Sequence, residues 1–216
     1  MALAFDAVGA GGSALPGNSI TYSHTCTGTN LILIVAITSN NTDVITGVTY
    51  NGDALTLGKK STDTGPVKYF YYKLGPATGA HDVVVSASAA DQFLRATSVS
   101  YTGVQQSGQP DATDESRDTA TSTTTSLTQV VNNAWQVGMG SNSGAGTLSA
   151  GTGIGATRGN VGSILYVGDS NAVTSAGTQT LTWNNTSSTQ LDALQFSLAD
   201  IDQSLATTDE GRAFFM

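Results

Sequence analysis

Leu31-Ile-Leu-Ile-Val-Ala-Ile37 is apolar at every position. A run this short cannot cross a bilayer, which takes about 20 apolar residues, so its hydrophobicity must be buried in protein. β-Branched side chains dominate it, and these favour an extended strand. Side chains alternate along a strand, so Leu33 and Val35 serve one face while Ile32 and Ile34 serve the other. Both faces then need cover, as for a central strand with further structure packed outside it.

The rest of the chain is built from the same kind of segment, though most are one-sided. Short runs rich in β-branched and aromatic residues recur at 19–25, 31–38, 45–50, 67–74, 81–88, 94–101, 126–131, 135–139, 164–167, 179–183 and 190–198, each closed by Gly, Pro, Asn or Asp. That punctuation marks a sandwich or barrel of about ten to fourteen strands. In Leu191-Asp-Ala-Leu-Gln-Phe-Ser-Leu198, residues Leu194, Phe196 and Leu198 share one face and Gln195 and Ser197 the other, the pattern of a half-buried strand. Asn51-Gly52 lies between two such runs and suits the positive φ angles of a two-residue hairpin. Residues 103–125 and 141–160 are polar and read as long loops. No window carries a capped helical period, and any helix should be a turn or two near 89–93.

Composition bounds the function. Of 216 residues only 11% are charged, 39% are hydrophobic and 25 are Gly, which gives a core and many turns. The net charge is -8 with 8 Lys plus Arg, too few cations to track phosphates, so nucleic acid is excluded as a partner. One Cys allows no internal disulfide, and no run is long enough for a membrane helix. Met1-Ala-Leu-Ala-Phe-Asp6 lacks the basic start of a secretory signal, so synthesis in a cytoplasm is expected. No linker separates two strand sets, and one β-sandwich domain over residues 1–199 followed by a tail over 200–216 is the expected organisation.

Few residues offer chemistry. His24 and His81 each lie in a strand without carboxylate or Cys at ligand spacing, and the plainer reading is a surface or half-buried strand residue. His24 and Cys26 share a strand face as a base and a thiol would, but a nucleophile also needs an orienting third group and an oxyanion hole. Asp111-Ala-Thr-Asp-Glu-Ser-Arg-Asp118 places carboxylates Asp111, Asp114 and Asp118 close together, yet the spacing misses the calcium-loop pattern and a solvated loop explains it as well. The expectation is no metal, no cofactor and no catalytic site. In Tyr69-Phe-Tyr-Tyr72, Tyr69 and Tyr71 point one way and Phe70 and Tyr72 the other, so one pair is core and the other is free to stack on a sugar ring or a subunit. Trp183 is a further stacking candidate.

Four segments together carry a resemblance: Val48-Thr-Tyr-Asn-Gly-Asp-Ala-Leu-Thr-Leu57, Tyr69-Phe-Tyr-Tyr-Lys-Leu-Gly-Pro-Ala-Thr-Gly79, His81-Asp-Val-Val-Val85 and Ser98-Val-Ser-Tyr-Thr-Gly-Val104. In strand and turn phrasing they resemble a jelly-roll, lectin-like β-sandwich module of bacterial surface proteins and tailed-phage virion proteins. The resemblance covers about residues 18–199 and transfers no catalytic residue. It implies binding or structural work. Taken with the amino-terminal sequence, it implies a virion part made in the host cytoplasm: a capsid decoration or cement subunit that binds other virion subunits and its own copies. The alternative is a carbohydrate-binding or host-adhesion module using Tyr69, Tyr71 and Trp183. A glycan-cleaving enzyme on the same fold is a third reading.

The chain closes on Ala213-Phe-Phe-Met216 after a polar stretch. Adjacent aromatics left in water are an association liability, so Phe214, Phe215 and Met216 are expected to dock into a neighbouring subunit.

Overall fold

The computed structural model describes residues 2–40, 43–61 and 66–202. Among them are β1 (Ala4–Val8), β2 (Gly12–Ala14), β3 (Gly17–Cys26), β4 (Ile32–Thr38), β5 (Ile45–Tyr50), β6 (Asp53–Ala54), β7 (Thr56–Lys60) and β8 (Lys68–Leu74). These are followed by β9 (Gly79–Asp91), β10 (Leu94–Thr102), β11 (Ala112–Gln129), β12 (Ala134–Asn142), β13 (Leu148–Ala150), β14 (Ala156–Val161), β15 (Leu165–Asp169) and β16 (Gly177–Ala199). The chain is an all-β protein of antiparallel sheets.

β4 sits in the middle, as its sequence requires. It pairs with β10 and β8 in a sheet of order β1-β10-β4-β8-β7, with β2 also on β10. Leu33, Val35 and Ile37 pack with Tyr22, Val48, Tyr50, Val83 and Val85 of a four-stranded sheet, β3-β9-β5-β6. Ile32, Ile34 and Ala36 pack on the opposite side with Val137, Met139, Leu194 and Phe196 of a second six-stranded sheet, β11-β16-β12-β15-β14. The sandwich relation is therefore made twice around one shared sheet, giving three layers and two apolar seams. The alternation of β8 obeys the same rule: Tyr69 and Tyr71 enter the first seam and Phe70 the second, where its ring lies 4.7 Å from that of Phe196.

The Asn51-Gly52 hairpin is observed. Tyr50 pairs with Asp53, and the two turn residues take φ of 52° and 81°. The stretches expected to be loops need correction. All of 112–125 belongs to the long strand β11, and 141–160 contains the end of β12, all of β13 and most of β14. No helix occupies 89–93 either: β9 runs to Asp91 and β10 begins at Leu94.

The physical reason lies in a doubled-back ribbon. β11 pairs with β16 along its whole length, with a shift in register between Ala120 and Ser122. There the ribbon folds over, so that Asp118 accepts from Thr123 Oγ1 at 2.6 Å, and Asp114 accepts from the Ser126 backbone N–H at 2.6 Å. Its returning half, part of the same sheet, packs back over β12 and presses Trp183 against Gly140. A Cβ at Gly140 would stand 2.6 Å from Trp183 Cγ, so only glycine lets the layers approach this closely. Along β11 the buried positions Thr123, Thr125 and Gln129 are polar, so the strand's period of two shows little hydrophobic contrast in sequence.

Ends of the described chain meet. The Leu3 N–H donates to Asp200 Oδ2 at 3.0 Å, and the Ile201 N–H donates to the Gly103 carbonyl at 2.9 Å. Phe214, Phe215 and Met216, expected to dock, and the tail from 203 onward lie outside the described residues.

Candidate functional site

His24 reaches across the first seam from β3 to β10. Its Nε2 lies 2.9 Å from Ser100 Oγ and its Nδ1 lies 2.8 Å from Ser98 Oγ. The Ser100 hydroxyl donates its single proton to Asp6 Oδ2 at 2.6 Å. It can therefore only accept from the ring, which places the proton of neutral His24 on Nε2 and makes Nδ1 the acceptor from Ser98. Burial pushes the His24 pKa down to about 4, against a smaller upward pull from Asp6. The order Ser98, His24, Ser100, Asp6 has the look of a proton relay. Ser98 is nonetheless fully buried, so no substrate reaches its hydroxyl. Cys26 is equally buried and its thiol is pushed up by desolvation, which keeps it protonated and inert. Sequence spacing paired His24 with Cys26, whereas the fold pairs it with serines 74 and 76 residues away.

Charged groups join the second seam. Arg158 holds Asp169 through Nε at 2.8 Å and Nη2 at 3.1 Å, and Tyr101 of the central sheet donates its hydroxyl to the same carboxylate at 2.8 Å. The Arg158 guanidinium also lies over the Phe5 ring at 4.3 Å. Lys68 of β8 reaches Asp192 of β16, with Nζ 3.7 Å from Oδ2, while Arg117 binds the other carboxylate oxygen. Desolvation pulls the Lys68 pKa below the usual lysine range, and Asp192 opposes that shift. A cavity of about 20 Å³ beside Lys68, bordered by Ser39, Asn40, Phe93, Asn142 and Gln190, has room for about one water molecule. Both clusters have the closed geometry of joints between layers, and neither opens to a molecule of substrate size.

The acidic segment is strand, not a solvated loop. Asp111 accepts from the Val130 N–H at 3.2 Å, Asp114 from Ser126 and Asp118 from Thr123, so all three carboxylates are engaged along the fold of the ribbon. One of these bonds occupies a backbone N–H of β11, at Ser126, and another that of Val130 just past the strand's end; β11 borders its sheet, and occupied donors there resist pairing with another chain. Among the described residues, no group of three or more His, Cys, Asp or Glu side chains is placed to hold a metal ion.

The stacking candidates are corrected by burial. Tyr69 is 1% exposed, Tyr71 8% and Trp183 0%, so no sugar ring can lie on any of them. The two tyrosines fill the first seam, and Trp183 fills the gap over Gly140. Alternation had correctly split the faces of β8, but with three layers both faces are interior.

An open polar groove lies elsewhere, on the outer face of the four-stranded sheet. It has a volume of about 460 Å³ and is lined by Thr49, Asn51, Ala80, His81, Asp82 and Val84. The register brings these together: Thr49 pairs with Val84, Tyr50 with Val83, and the Asn51 N–H donates to the Asp82 carbonyl at 3.1 Å. The His81 ring stands edge-on to Tyr50 at 5.5 Å, and its Nε2 donates to the Thr78 carbonyl at 3.1 Å. In the neutral ring this leaves Nδ1 as an acceptor. Side chains of Thr49, Asn51 and Asp82 make no hydrogen bond to any other described residue. Sequence reading missed this site because its halves are 30 residues apart and only the pairing of β5 with β9 joins them; the visible signal was the Asn51-Gly52 turn.

Comparison of the chain with protein-family models, with curated proteins and with solved structures finds no match in any of the three.

Proposed function

We propose that the chain is a structural, non-catalytic virion protein: a capsid decoration or cement subunit that is made in the host cytoplasm and binds coat subunits and further copies of itself. The observation that carries this reading is where the buried chemistry is spent. His24 with Ser98 and Ser100 crosses the first seam; Tyr101 with Asp169, Lys68 with Asp192, and Thr38 with Ser141 at 3.0 Å cross the second. Buried polar pairs of this kind fix one register between packed layers and are costly to break singly. They favour a rigid block over a moving active site. An exterior rich in Ser and Thr with a net charge of -8 suits a particle surface that must stay dispersed. The jelly-roll affiliation belongs to this proposal and rests on the strand phrasing of residues 18–199.

The test is co-sedimentation of the purified full chain with assembled virions that lack it. Saturable binding at a fixed ratio to the coat protein is expected. Failure to sediment with the particles at any concentration would remove the decoration reading.

A further inference from the structure

We infer that the groove on the outer face of the four-stranded sheet binds a neutral sugar ring of a glycan. The inference stands whether or not the chain joins a particle, because it rests on the groove's own chemistry. Most polar side chains of the seams are hydrogen-bonded within the fold, whereas Thr49, Asn51 and Asp82 line one open hollow with their hydrogen-bonding groups uncommitted to described residues. Together they present a carboxylate acceptor, an amide that both donates and accepts, and a hydroxyl. Adjacent hydroxyls of a pyranose, each a donor and an acceptor, match such a set. Ala80 and Val84 give a small apolar floor for ring C–H groups, and nothing lies within 4 Å of where a Cβ at Gly52 would stand, which leaves the rim open.

The alternatives fit less well. A cation would need more than the one carboxylate that lines the groove, and no third metal-ligating side chain joins His81 and Asp82 among the described residues. An anionic sugar or a phosphate would face the Asp82 charge with no Lys or Arg in the lining. The volume falls within the range of small-molecule sites, about 300–1,000 Å³. Because the groove is shallow and without an exposed aromatic platform, single-site affinity should be low, about millimolar, and useful retention would come from many copies presented together.

The experiment displays the full chain multivalently on beads and probes an array of neutral and acidic glycans, beside the variants Asp82→Ala and Asn51→Gly. Glycine keeps the positive φ of 52° at position 51 while removing the amide. Retention of one or more neutral glycans is expected, falling about tenfold in each variant as a hydrogen bond to sugar is lost, with unfolding midpoints unchanged. Retention of acidic glycans alone, no retention of any glycan, or retention unaffected by both variants would each overturn the assignment. So would self-association of the unliganded chain that Asp82→Ala abolishes, since a second copy would then be the occupant.

Discussion

His24 shows how a single side chain ties stability to pH. A free imidazole titrates at 6.5, but in the fold its pKa is down at about 4 because its charged form is desolvated. Between these values the unfolded chain holds a proton that the folded chain does not, so stability is full above pH 6.5 and is lost as pH falls towards 4. The difference amounts to about 3 kcal/mol. Urea unfolding of the native chain and of His24→Asn across pH 4 to 7 should show a steeper fall for the native chain. Carboxylates act in both proteins, so parallel curves would refute the role given to His24. Gly140 gives a second test at this scale. Gly140→Ala drives a methyl into Trp183 and should cost about 1–3 kcal/mol in the same assay; a cost near zero would mean that the ribbon does not press on β12. Neither role was legible from local sequence. His24 offered only Cys26 two residues away, and its true partners come from β10; Gly140 falls between the expected strand 135–139 and the expected loop 141–160, and its neighbour Trp183 lies far along the sequence.

Among the elements, β4 was the most legible. An unbroken apolar run forces cover on both faces, and Leu33 and Ile34 are each 0% exposed in different seams. Leu33→Ala and Ile34→Ala should each destabilise the chain by about 2–5 kcal/mol, through lost transfer energy and the residual cavity. A two-layer sandwich would make only one of them costly, so a cost below about 1 kcal/mol for either would contradict the third layer. β11 was the least legible. Its buried residues include Thr123, Thr125 and Gln129, so the period of two exists without the hydrophobic contrast that reveals it. The carboxylates that suggested an exposed loop are the groups that clasp the ribbon's fold. For the same reason the aromatic pair of β8 could not be divided into buried and free from sequence, because the division depends on the number of layers.

For the whole molecule, the two apolar seams and their polar crossings describe a block whose outer surfaces are available for contact while its inner chemistry is occupied. The groove by Asn51 and Asp82 is a hollow on that exterior lined by polar side chains without hydrogen bonds to other described residues. The all-β class was readable from turn punctuation and strand period; the layer count and the groove required long-range pairing, which no local pattern encodes. Truncation after Asp202 should leave the unfolding midpoint nearly unchanged and weaken incorporation into particles, if Phe214, Phe215 and Met216 dock as expected. A large fall in midpoint would instead make those residues part of the chain's own core. The most direct measurement is quantitative mass spectrometry of density-purified virions from cells that make this chain. A structural decoration subunit predicts the chain at a constant ratio to the coat protein across independent preparations, and its absence from the particles, or a ratio that falls with each round of purification, would contradict that function.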